Sequence, residues 1–333
     1  MSLELGLGAT MVAALVIYFL FGGADFGGGV WDLLATGPRR RAQREVIEHA
    51  IGPIWEANHV WLILVVVVLF TGFPRAFAAL SIAFHIPLTL FLVGIVLRGS
   101  SFAFRSFGAG SHFGLGFSIA SVVSPVLLGM VVGATVSGRV EWRGGQVVSD
   151  PLSPWLAPFP IATGLFALAL AAYLAAAYLT NEAPTPELAE DFRKRALGAG
   201  IAAALLAVLT LALASSGAPR VAERLLRRPE AWGLEVAAAI TALGAMIALL
   251  RRRYRLARLL APAQVALVLV GWAAAQYPYL LVDDITLGNA AADAATLRLL
   301  AYVLAGGAPI LGASLWLLFR VFKGQGQGTG SPA

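Results

Sequence analysis

Apolar residues in this chain come in long runs, separated by short polar segments rich in arginine. The runs cover 5–34, 47–72, 76–98, 113–137, 158–180, 196–215, 231–250, 257–276 and 299–321. Each is close to the ~20 residues a helix needs to cross a bilayer, and none alternates strictly as a barrel strand does. A bilayer-spanning backbone must satisfy its own hydrogen bonds, so the pattern predicts helices. The reading is an all-α polytopic membrane protein with about nine transmembrane helices. Residues 1–323 form one membrane domain, with halves 1–137 and 158–276 as two four-helix bundles and 299–321 as a peripheral helix. Residues 324–333 read as a flexible Gly-rich tail. The first run lacks a basic leader and is too long for a cleaved signal core, so it is read as a span.

Composition strengthens this reading. Of 333 residues, 59% are hydrophobic and 13% charged, where a soluble domain carries about 25% charged residues. There is no cysteine, which excludes disulfides, thiolate metal sites and iron–sulfur ligation by this chain. The net charge of +6 comes from 24 basic residues. All but Lys194 and Lys323 are arginines, and they lie mostly in loops. That is a topology signal, not a nucleic-acid surface.

The arginines assign the sides. Arg39, Arg40, Arg41 and Arg44, then Arg98 and Arg105, Arg193 to Arg195, Arg251 to Arg258, and Arg320 with Lys323 all fall on one side if the N-terminus is outside. That side is read as cytoplasmic, in a prokaryotic plasma membrane, with the C-terminus inside. The acidic loop with Asp283, Asp284 and Asp293 falls outside. The loop with Arg220, Arg224, Arg227 and Arg228 breaks the rule. A short interfacial helix would soften the violation, and a missed span would also produce it.

Ionisable groups inside spans are functional candidates. Asp25 lies in Phe21-Gly-Gly-Ala-Asp25-Phe-Gly-Gly-Gly29, and Glu56 in Gly52-Pro-Ile-Trp55-Glu56-Ala-Asn58-His59-Val-Trp61. Counted along continuous helices, both acids stand roughly 15–20 Å from the cytoplasmic end. Gly23 and Gly27 form a small-xxx-small pair that admits close helix approach. A desolvated carboxylate can exchange protons near neutral pH, so Glu56 reads as a proton relay or as a structural acid held by Asn58 and tryptophans. Asp25 leans structural in its glycine-rich setting.

Glu56 and His59 share a helix face, but a di-iron bundle needs two such pairs and two further glutamates. His49, His59, His85 and His112 are too scattered for a haem site, and His85 near Pro87 reads as a helix kink. Arg98 closes the third run. It reads first as a snorkelling side chain, and otherwise as a partner for a buried acid or for a quinone or lipid head group.

Two segments resemble subunit II of cytochrome bd-type quinol oxidases, including the cyanide-insensitive branch. Gly22-Gly-Ala-Asp25-Phe26-Gly27-Gly-Gly29 is like that family's G-x-D-x-G-x-G. Ile51-Gly-Pro53-Ile-Trp55-Glu56-Ala-Asn58-His59-Val60-Trp61-Leu62 is like its P-x-W-[DE]-G-N-x-V-W-L. Phe70-Thr-Gly-Phe73-Pro74 and Arg98 continue the match. Ala57 replaces the usual glycine, and His85 stands where tyrosine is common.

The resemblance implies a heterodimer with a haem-bearing subunit I, which would hold two b-type haems, one d-type haem and the quinol site. A small accessory subunit is compatible with it. This chain would bind no haem, would stabilise the complex, and would contribute through Glu56 to cytoplasmic proton delivery. Asp25, Asn58 and His59 would support Glu56, and Trp55 and Trp61 would pack beside it. Some members hold a structural quinone in this subunit, which would draw on Arg98. The competing reading is a secondary transporter or channel with buried carboxylates. An obligate haem-bearing partner separates the two.

Overall fold

The computed structural model describes residues 2–51, 55–106, 112–227 and 229–324. The side chains of residues 51, 55, 56, 102–106, 112–115, 229–231, 319 and 322–324 lie outside that description.

The chain opens with α1 (Leu3–Tyr18), capped by the Ser2 hydroxyl on the Leu5 amide. It passes through a π-helical turn (Phe19–Gly23) into α2 (Ala24–Leu33). Then come α3 (Arg40–Ile51), α4 (Trp55–Gly72), α5 (Pro74–Ala83), α6 (His85–Ser106) and α7 (His112–Thr135). A two-stranded hairpin, β1 (Trp142–Arg143) with β2 (Gln146–Val147), leads to α8 (Pro158–Glu182). The rest is α9 (Pro186–Gly217), α10 (Pro219–Arg227), α11 (Pro229–Leu250) and α12 (Tyr254–Gln276). After these come the β3 (Tyr279–Leu281) and β4 (Ile285–Thr286) hairpin, α13 (Leu287–Ala290) and α14 (Ala294–Gly324).

Among the described residues, seven helices are long and apolar enough to cross a membrane, or eight if the bent pair α4–α5 is one span. One of the sequence runs is broken. The run over 47–72 is described as α3, largely polar, up to Ile51 and as α4 from Trp55, with 52–54 outside the described residues. The run over 76–98 is two helices. Pro74 cannot donate to the preceding turn, so α4 stops, and α5 leaves it at a bend of 118°. α5 itself stops at Phe84, and His85 opens α6 with Nδ1 2.9 Å from the Ile82 carbonyl.

Large apolar side chains cover the outside. Ile63, Phe70, Leu92, Val96, Leu205, Val208, Ile240 and Leu259 are all exposed, as suits a surface facing lipid or another apolar chain. The main core gathers α2, α3, α8, α9, α11 and α12, so it joins residues from both ends of the sequence. Alanines on α8 and α9 let these helices pack closely, which is how membrane helices gain contact without a solvent-driven collapse.

Polar contacts sort the loops into two ends. At one, Arg39 makes a bidentate pair with Asp191 (2.8 and 2.6 Å), and Arg195 donates to Gln43 (2.7 Å). Arg252 pairs with Glu190 at 3.3 Å and Arg258 with Glu182 at 3.0 Å. At the other end the Val282 amide donates to the Thr135 carbonyl (3.0 Å), and Ala292 to that of Gly72 (2.9 Å). Leu287 lies against Gly8, so the N-terminus shares this end. The troublesome loop resolves here. It holds α10, whose Val221 and Ala222 are buried and whose Arg220 pairs with Asp283. Its Arg224 donates to the Ala275 carbonyl (3.2 Å). These arginines are partly offset by the acidic loop and by a helix end.

Candidate functional site

α2 is a deeply enclosed helix. Every residue from Asp25 to Asp32 is buried. The glycines make this geometry. A Cβ on Gly27 would stand 2.0 Å from the Ala171 carbonyl oxygen, so α2 and α8 touch backbone to backbone. A Cβ on Gly29 would stand 2.2 Å from the Ser121 side chain on α7. Trp31 fixes the α8 contact by donating Nε1–H to the Ala172 carbonyl at 2.7 Å. At Gly23 the nearest atoms to an added Cβ belong to Phe19 of its own turn, 3.2 Å away.

Asp25 is 4% exposed and Asn58 3%. The Asn58 amide donates to Asp25 Oδ2 at 2.5 Å, tying α4 to α2. One residue on, His59 stands edge-on to Tyr18 at 6.0 Å between ring centroids. Trp61 packs on the cluster of Tyr18, Phe26, Phe91 and Leu127. Glu56 lies in the first turn of α4, two residues before Asn58. Its side chain and that of Trp55 are outside the described side chains, as is Pro53. The Asn58–Asp25 bond sets the first turns of α4 level with the start of α2.

Arg98 is 2% exposed and turns inward, which overturns the snorkelling reading. Its guanidinium carbon lies 4.7 Å from the centroid of the Phe26 ring and 5.2 Å from that of Phe117. Such placement over aromatic faces partly replaces lost hydration. Arg98 also shares an electrostatic field with Asp25 and Tyr18. Among the described residues, all three guanidinium nitrogens, the Tyr18 hydroxyl and the Ser124 hydroxyl lack a hydrogen-bond partner. Buried donors of this kind are normally met by ordered water. The enclosure between two rings does not fit an open site for a quinone head group.

A second buried acid escaped the sequence reading. Asp32, 2% exposed, accepts the Ser118 hydroxyl at 3.0 Å. Arg44 lies 3.6 Å from its carboxylate, and also donates to its backbone carbonyl at 3.2 and 3.1 Å. Two signals were available. Asp25 and Asp32 are seven residues apart, hence on one helix face. Ser118, Ser121 and Ser124 recur every third residue on α7, and all three are buried.

Among the described residues no three of His, Cys, Asp and Glu gather as a metal site. His85 sits on the Ile82 carbonyl and His59 against Tyr18.

The fold and this buried polar chain define a polytopic helical membrane protein built around charged groups held between its spans. The chain belongs to the family described as cytochrome bd terminal oxidase subunit II, matched over residues 3–322, and so is part of a quinol oxidase complex. It is 26% identical over 302 residues to "Putative cytochrome bd menaquinol oxidase subunit II" of Bacillus subtilis (strain 168), covering 85% of each chain. It is 29% identical over 133 residues to cytochrome bd-I ubiquinol oxidase subunit 2 of Escherichia coli (strain K12), covering 38% of this chain and 35% of that one. Its fold matches a chain of the bd oxidase from Geobacillus thermodenitrificans with TM-score 0.79 and 22% identity, over 97% of this chain and 99% of that one. Membership of the family sets aside the transporter reading.

Proposed function

We propose that this subunit steadies a haem-bearing subunit I and carries cytoplasmic protons toward it, with Glu56 and Asp25 as the carriers. The observation that supports this most is the buried Asn58–Asp25 bond, which holds an acid of α2 beside the first turns of α4, where Glu56 lies. Oxygen reduction consumes protons, and a carboxylate between helices is a group that can hold one. Asn58 orients the Asp25 carboxylate. The positive field of Arg98 and the waters implied by its unmet donors keep charge tolerable at this depth. Haem in the partner supplies the oxygen chemistry, and this chain's residues bind and pass protons only. In the same reading the arginine-rich end faces the cytoplasm and the N-terminus faces outward.

The test is Glu56→Gln in the intact oxidase complex, read as oxygen consumption with quinol per assembled haem. The expected result is full haem content with most turnover lost, and part of it kept in Glu56→Asp. Near-normal turnover in a fully assembled Glu56→Gln complex would overturn the assignment.

A further inference from the structure

We infer that Asp32 is the mouth through which cytoplasmic protons enter this subunit, and that Ser118, Ser121 and Ser124 conduct them inward. This rests on the proton-delivery reading and adds residues which that reading does not use. Three observations carry it.

The first is position. Asp32 stands at the end of α2 beside Arg44, whose side chain remains about one-third exposed (31%) while that of Asp32 is 3% exposed. A buried carboxylate thus lies directly beneath a hydrated guanidinium at the arginine-rich end. The second is alignment. Asp25 lies two helical turns deeper on the same face, about 10 Å along the axis. The third is the column between them. The Ser118 hydroxyl donates to Asp32 at 3.0 Å. Ser121 fills the space left by Gly29, and its hydroxyl rests on the Phe117 carbonyl at 2.7 Å, from which it must turn to join the column. Ser124 fills that left by Gly94 on α6, and its hydroxyl is buried with no hydrogen-bond partner among the described residues.

Small residues alone would explain close helix packing. They would not explain an acid sealed at one end of the column, or an unmet hydroxyl within it. Successive serines are about 4.5 Å apart along α7, a step that one bridging water closes. Asp32 takes a proton from cytoplasmic water and, once the Ser118 hydroxyl has turned from donating to it, gives that proton to the Ser118 oxygen. Ser118 releases its own hydroxyl proton to the next group inward. Each hydroxyl accepts one proton and passes one on, so no charge rests on serine. The step ends with a proton at the level of Asp25.

The experiment uses the intact oxidase in liposomes, with turnover per haem and its solvent deuterium isotope effect as readouts. Asp32→Asn, Asp32→Glu and Ser118→Ala are compared with Glu56→Gln. Asp32→Asn is expected to slow turnover on the order of ten-fold, less than the loss of a full acid–base group, because water still reaches Ser118. Its isotope effect should rise, and Asp32→Glu should recover much of the rate. Normal turnover, or slow turnover with an unchanged isotope effect, overturns the inference. If Asp32→Asn fails to assemble, Ser118→Ala decides in the same way, since it leaves the Arg44 contact intact. A slow Glu56→Gln with a normal Asp32→Asn defeats this inference alone. A normal Glu56→Gln with a slow Asp32→Asn defeats only the Glu56 assignment.

Discussion

Asn58 on α4 donates its amide to the Asp25 carboxylate on α2 at 2.5 Å, in a place where both side chains are almost closed to solvent. Two helices are joined by one short bond between a neutral donor and an acid. Asn58→Leu keeps the volume and removes the donor. Leaving a buried acceptor short of a partner costs about 1–3 kcal/mol. The assembled complex should therefore melt several degrees lower than the parent, as read by scanning calorimetry. An unchanged melting temperature would mean that the bond contributes little.

Gly27→Ala should fail where Gly198→Ala succeeds. The first places a methyl 2.0 Å from a backbone oxygen of α8, while the second meets nothing within 4 Å. Overpacking costs about 1–3 kcal/mol or more, and here a carbonyl rather than a flexible side chain must yield. Gly198→Ala should instead be neutral or stabilising by up to about 1 kcal/mol. Complex yield and haem content after solubilisation check both.

Sidedness is open to direct labelling, since the chain has no cysteine of its own. Arg41→Cys and Arg143→Cys both sit at highly exposed positions, at the two opposite ends. An impermeant maleimide on intact cells should label position 143 and spare 41. The reverse result would invert the topology.

Asp293 gives a pH signature. It accepts the Ala295 and Thr296 amides (2.9 and 3.1 Å) and the Thr296 hydroxyl (2.6 Å), capping the first turn of α14. These bonds hold its carboxyl below the ordinary 3.8, the Thr296 hydroxyl bond first. A folded pKa below the unfolded one gives stability that is present above the unfolded value and lost as pH falls through the folded one. Asp293→Ala should lower the melting temperature at pH 6. The difference from the parent should shrink below about pH 4, measured in detergent across that range. A gap constant with pH would contradict the cap.

Much of this was legible before any coordinates. Long apolar runs can only be helices in lipid, and arginine in short loops groups the ends, so the grouping of Arg39–Arg44 with Arg193–Arg195 and Arg251–Arg258 could be read directly. Asp25 and Glu56 stood out because ionisable groups are rare in such runs, but Asn58 was read as a partner of Glu56, not of Asp25. Hydropathy could not show the stop at Phe84, because residues 76–98 read as one apolar run. Nor could it show which way Arg98 points, since the end of an apolar run suits both water and the Phe26 and Phe117 faces. Asp32 was hidden by standing near the arginines, where an acid looks solvated. The three serines were hidden by being individually unremarkable.

The π-helical turn at Phe19–Gly23 has a consequence for the direction in which the acids face. One surplus residue in a turn retards everything after it by about 100° around the axis. The face that α1 offers to α4 and the face that α2 offers to α7 and α8 are therefore two separate compass settings on one rod. Removing a single residue from 19–23 would rejoin them as one uninterrupted α-helix. Asp25 would swing away from Asn58, Gly27 from Ala171 and Asp32 from Ser118 in a single motion, although none of those six residues had been altered. The aim of the whole polar chain is thus set by a phase slip in the backbone, ahead of the first residue that belongs to it.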